Sequence, residues 1–117
     1  MNEKNELSKQ QRIKREIARL KKVFNNLDKN MLTTVGSLIN RAAFMTVSLQ
    51  ELEEEINTNG YIAEYKNGEN QFGEKQSDAV KTHLAMTKNL AVVIKQLAEL
   101  VPPEKKKNSR LQALRDE

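Results

Sequence analysis

Between positions 31 and 56, apolar residues recur with an unbroken 4-3 spacing: Met31, Val35, Leu38, Ala42, Met45, Leu49, Leu52 and Ile56. Only an α-helix brings such residues to one side, because a strand would demand a period of two. A second row, Leu32, Ile39, Ala43 and Val47, runs beside it. The combined face is too broad for a two-stranded seam. It predicts a helix that packs against its own chain on one side and against a neighbouring subunit on the other. Asp28 is the N-cap candidate, with Asn30 as the alternative, and the helix should reach Asn57–Asn59 before Gly60 supplies a left-handed cap.

Two further helices follow from the same reasoning. Ile13, Ile17, Leu20, Phe24 and Leu27 form a stripe over about residues 6–27. At about 100° per residue, Arg12, Arg15, Arg19 and Lys22 fall on the side facing away from it. Ser77 is an N-cap for a helix that ends at Pro102-Pro103. That helix carries two rows. One is Val80, Leu84, Thr87, Ala91, Ile94, Ala98 and Val101, and the other is Met86, Leu90, Val93, Leu97 and Leu100. Residues 61–76 break the helical period. Tyr61 to Tyr65 alternate, Asn67-Gly68 is a turn dipeptide, and Gln71-Phe72 precede Gly73. A short hairpin or ordered loop fits. It holds three of the five aromatics and should dock onto the helices. The fold class is therefore all-α. A long antiparallel helical hairpin follows a basic N-terminal helix, and a short β-hairpin or loop is inserted between its arms. The expected units are 1–28, the basic helix; 29–101, the oligomerisation core with its insertion at 60–76; and 102–117, a flexible basic tail.

Charge is distributed unevenly over the 117 residues. Residues 1–23 hold eight basic and three acidic side chains, +5; residues 24–101 hold seven and ten, −3; residues 102–117 hold five and three, +2. Two basic ends flanking an acidic middle point to a polyanion, with nucleic acid the first candidate. The predicted DNA-contacting residues are Lys9, Arg12, Lys14, Arg15, Arg19, Lys21 and Lys22 in the first helix and Lys105, Lys106, Lys107 and Arg110 in the tail. No helix-turn-helix is evident, so contact through phosphates is expected, with base readout weak or supplied by DNA shape.

Several chemistries are excluded or disfavoured. The chain has no cysteine and one histidine, which removes thiolate sites and leaves little for a histidine metal centre. The stretch from Gly68 to Lys75 has the glycines of a phosphate-binding loop only superficially, since Glu74 stands where that loop needs lysine. Glu51, Glu53, Glu54 and Glu55 radiate around their helix instead of converging on an ion. They crowd a helix C-terminus, where negative charge is unfavourable, so a basic partner, either a neighbouring subunit or the first helix, should offset them. His83 reads as a core-edge or interface histidine. No cofactor is expected, and no enzymatic site is recognisable. The polar start and the lack of any run near ~18 apolar residues predict a soluble cytosolic protein without a membrane association.

The run from Leu38 to Met45, the Leu52-Glu53-Glu54-Glu55-Ile56-Asn57 segment, Asn59-Gly60-Tyr61, the stretch from Asn67 to Gly73, and Lys75-Gln76-Ser77-Asp78-Ala79-Val80 together form a pattern. With the close at Ile94 to Leu100, it resembles the small terminase subunits of tailed bacteriophages over roughly residues 30–101. The resemblance implies a non-catalytic homo-oligomeric ring in the host cytoplasm. Such a ring recognises double-stranded viral DNA at the start of genome packaging and regulates the large ATPase–nuclease terminase subunit. Many members carry an N-terminal helix-turn-helix, whereas this chain has a basic helix there, and Pro102-Pro103-Glu104 replaces a glycine-containing helix end. The residues expected at the subunit interface are Val35, Leu38, Ile39, Ala42, Met45, Leu49, Leu52, Leu90, Val93 and Leu97. Two other readings fit the same residues: a dimeric basic-helix transcriptional regulator, and a protein-only coiled-coil adaptor.

Overall fold

The computed structural model describes residues 7–24, 29–66, 68 and 71–100. It is mostly helical, with three helices and one two-stranded antiparallel sheet. Helix α1 spans Lys9–Val23, α2 Lys29–Asn59 and α3 Asp78–Leu100, with β1 (Ile62–Lys66) and β2 (Phe72–Gln76) between α2 and α3. The order matches the expected one. The first helix is shorter than its stripe predicts: it starts after Ser8 and ends at Val23, with Phe24 as its C-cap. The Ser8 hydroxyl accepts from the Gln11 backbone N–H at 3.1 Å, and the Gln11 side chain accepts from the Ser8 N–H at 2.9 Å. That reciprocal capping box satisfies two backbone donors that a helix start otherwise leaves open. The Asp28 cap, Leu27, Val101 and the tail lie outside the described residues.

The other ends follow local chemistry. Gly60 adopts φ 82° and its N–H donates to the Ile56 carbonyl at 2.7 Å, closing α2 in a conformation that costs other residues a Cβ clash. Ser77 caps α3, its hydroxyl accepting from the Val80 N–H at 3.1 Å.

Helix α2 is the central element, with α1 and α3 both packed on it. Both cross it antiparallel. Lys9 meets Glu51 while Leu20 joins the core with Val35 and Ile39; His83 meets Glu53 while Val93 and Gln96 share a cleft with Ser37 and Leu38. The core holds Leu20, Val35, Ile39, Ala42, Ala43, Val93 and Leu97, surrounded by half-buried Ile13, Ile17, Phe24, Leu38, Met45 and Leu90. This corrects the expectation for the broad face of α2. Residues of both its rows share one core with the stripe of α1 and with α3, so the same chain fills most of both sides, and Leu32 of the flanking row stays exposed.

The insertion is an antiparallel hairpin in the register Ile62↔Gln76, Ala63↔Lys75, Glu64↔Glu74, Tyr65↔Gly73 and Lys66↔Phe72. It does not dock as expected. Tyr61, Ile62 and Phe72 are 71 %, 60 % and 72 % exposed, and Tyr65 is exposed as well. Tyr65 instead lies across its strand partner Gly73, where an added Cβ would come within 2.6 Å of the phenol ring. Glycine there makes room for an aromatic cover that the two strands supply themselves.

Candidate nucleic-acid interface

The basic helix α1 is fixed by its apolar stripe, so the core decides which cations remain free. Lys9 is engaged. Its Nζ lies 2.9 Å from Glu51 Oε1 and 4.7 Å from the centre of the Phe44 ring, both on α2. Arg12 is half-buried and donates from Nη2 to Gln50 Oε1. Arg19 is paired within its own helix. Its Nε donates to Glu16 Oε1 at 2.9 Å and its Nη2 to Glu16 Oε2 at 2.5 Å. The hydrogen bonds and charge of Glu16 hold the guanidinium above its ordinary pKa. The pair is locally neutral and offers a phosphate little.

Lys14, Arg15, Lys21 and Lys22 are exposed, and no ion pair holds them among the described residues. They form two adjacent rows, Lys14–Lys21 and Arg15–Lys22, each spaced by seven residues and so about 10 Å along the helix. Of the outward set read from the sequence, Arg15, Arg19 and Lys22 keep their exposed place, Arg19 with Glu16 as its partner, whereas Arg12 is corrected. A stripe on a lone helix cannot say which of its flanks a neighbour will overlap, and α2 overlaps the Arg12 flank.

Between α1 and α2 lies an open cleft of about 660 Å³ lined by Arg12, Arg15, Arg19, Glu16, Gln50 and Glu54, among others. An anion entering it would meet two carboxylates beside three guanidiniums. Apart from Arg15, which borders this cleft, the outer rows lie away from these carboxylates and are the better phosphate surface. Lys105, Lys106, Lys107 and Arg110 lie outside the described residues.

The acidic end of α2 is partly engaged from within the chain. Glu51 receives Lys9 of α1, and Glu53 receives His83 of α3 at 3.0 Å. Half-buried His83 is thus a core-edge residue that ties α3 to α2. Glu54 and Glu55 stay exposed without an ion pair among the described residues.

Six of the ten residues expected at a subunit interface, Val35, Ile39, Ala42, Leu49, Val93 and Leu97, are closed inside this chain. Leu38, Met45, Leu52 and Leu90 are half-buried. Apolar surface is left elsewhere, on the hairpin and on the outer row of α3, where Leu84 is 50 % and Ile94 39 % exposed. The signal for the α3 surface was present as its second apolar row. The number of neighbours available to cover that row was not.

No protein-family model matches the chain, and no curated protein or solved structure matches it either. Among the described residues, no helix is long and apolar enough to cross a membrane.

Proposed function

We propose that the protein is a non-catalytic small terminase subunit: an oligomeric ring that binds double-stranded viral DNA for genome packaging and regulates the large ATPase–nuclease subunit in the host cytoplasm. The family assignment rests on the sequence resemblance. The observation that carries DNA binding is the unpaired quartet Lys14, Arg15, Lys21 and Lys22, presented on a helix anchored along its opposite side. A cation already held in place releases phosphate counterions without first breaking an internal pair. Around a ring the quartet is repeated, and modest contacts per subunit multiply.

Duplex binding measured across a salt series tests this. Changing all four residues to Ala should weaken binding and flatten the log–log salt slope by roughly three to four, at ~0.9 per lost phosphate contact on each engaged chain. Lys9→Ala with Arg19→Ala should change the slope far less, since both side chains are already paired. Unaltered affinity and slope in the quadruple variant would remove α1 as the contact. The exposed aromatics of the hairpin favour the protein-only adaptor as the second reading. It requires that the wild-type chain ignore duplex DNA even at low salt.

A further inference from the structure

Helix α3 carries a second seam. Leu84, Ala91 and Ala98 are spaced by seven residues, and Thr87 and Ile94 interleave with them. All five are exposed. Their 3-4 alternation is the pattern that seats one helix against another. The adjoining positions, again spaced by seven, are Lys81, Lys88 and Lys95, exposed and without an ion pair among the described residues. The remaining side of the helix, through His83, Leu90, Val93 and Leu97, is already committed to α2. Among the described residues, such a seam, flanked on its free side by a row of lysines, is left open.

Its charge pattern selects the occupant. Two α3 seams pairing antiparallel would bring lysine row against lysine row. Pairing parallel would set each lysine row beside positions that α2 already covers. Either arrangement is penalised, which is how charged flanks decide partner and orientation. An acidic surface next to exposed apolar groups is required, and the chain has one. Glu55, and Glu54 at the rim of the cleft toward α1, hold no ion pair among the described residues, the last turn of α2 holds no basic residue, and exposed Tyr61 and Ile62 follow directly. Negative charge at a helix C-terminus gains from a cation brought close.

We infer that the outer seam of α3 receives a second copy of this chain, which docks through the acidic end of its α2 and the neighbouring Tyr61 and Ile62. The contact joins two different surfaces, so each copy keeps one of each free. Repetition therefore gives a closed ring or a filament and not a two-fold dimer. The inference rests on the ring part of the proposed function and is independent of DNA binding.

Mass measurement on the full chain in solution, by light scattering or sedimentation at low salt, tests it. The wild type should exceed the 13.4 kDa of one chain. Ile94→Glu should fall to the single-chain mass with its helical circular dichroism retained. Lys88→Glu with Lys95→Glu, both at exposed positions, should do the same, as should Glu54→Lys with Glu55→Lys. Mixing Ile94→Glu with the Glu54→Lys/Glu55→Lys variant should give a one-to-one pair that grows no further, because each partner retains only one working surface. A mixture that stays monomeric overturns the pairing of these two surfaces. Wild-type mass in both the Ile94→Glu and the lysine-reversal variants overturns the seam but leaves a ring built elsewhere. A monomeric wild type overturns both the seam and the ring.

Discussion

Helices α2 and α3 each carry two adjacent apolar rows, yet their fates differ. Most of both rows of α2 is covered within the chain, where Ile13, Ile17, Leu20 and Phe24 of α1 and Leu90, Val93 and Leu97 of α3 share one core with it, and Leu32 near its start stays exposed. Only the inner row of α3 is covered; Leu84, Ala91, Ile94 and Ala98 face outward. The cause is position in the chain. Helix α2 lies between two amphipathic helices that both fold back on it, whereas among the described residues α3 packs chiefly on α2. The breadth of an apolar face counts the neighbours it needs without saying which chain supplies them. For α2 the count closes at one chain, and for α3 it does not.

The strongest way to break this comparison is a charge in the closed row. Ala42 is fully buried at the middle of α2. Ala42→Asp places an unpaired carboxylate there at a cost of several kcal/mol, against a total stability of about 5–15 kcal/mol for a domain of ordinary size. The helical circular dichroism signal should be largely lost at room temperature. A folded Ala42→Asp chain would mean that the α2 face is open to water and that the two helices do not differ.

A milder pair of substitutions compares the two rows of α3 directly. Leu97 is fully buried, whereas Ile94, one turn away, is 39 % exposed. Leu97→Ala should cost about 2–5 kcal/mol, the range for emptying a packed site. Ile94→Ala should cost less than about 1 kcal/mol when measured dilute, where association plays no part. Urea unfolding with an unchanged denaturant slope is the measurement. Equal costs would show that the Ile94 row is covered within the chain and would remove the free seam.

The element types and their order were legible from spacing alone, since the 4-3 rows, Gly60, Ser77 and the Asn67-Gly68 turn each carry their own local physics. Tertiary assignment was less legible. Both rows of α3 are apolar on a helical wheel, the outer one thinned by Thr87, Ala91 and Ala98, and the docked position of α2 selects Met86, Leu90, Val93 and Leu97 as the inner one. Leu84 and Ile94 therefore cannot be told from core residues by sequence. The hairpin misleads for a related reason. Tyr65 packs on Gly73 across the strand instead of on a helix, a pairing visible only once the register is known. At the candidate nucleic-acid surface, the excess of cations in the first helix was evident. Which of them stay free depended on Gln50 and Glu51, nearly forty residues away or more, and no local pattern reports that distance.

The finest test asks how tightly the α2 side is sealed. Ser48 is 7 % exposed, and its hydroxyl has no hydrogen-bond partner among the described residues. Thr87 is exposed on the outer row of α3. Changing either to Ala improves helix propensity by about 0.5 kcal/mol. Only Ser48→Ala also removes an unsatisfied buried hydroxyl, whose burial costs about 1–3 kcal/mol. In an Ile94→Glu background, where association is blocked, Ser48→Ala should raise the urea midpoint by at least twice as much as Thr87→Ala. Equal gains would mean that water reaches Ser48. The closure of α2 would then stop short of that turn, and its contrast with α3 would be one of degree along the helix instead of a difference between two faces.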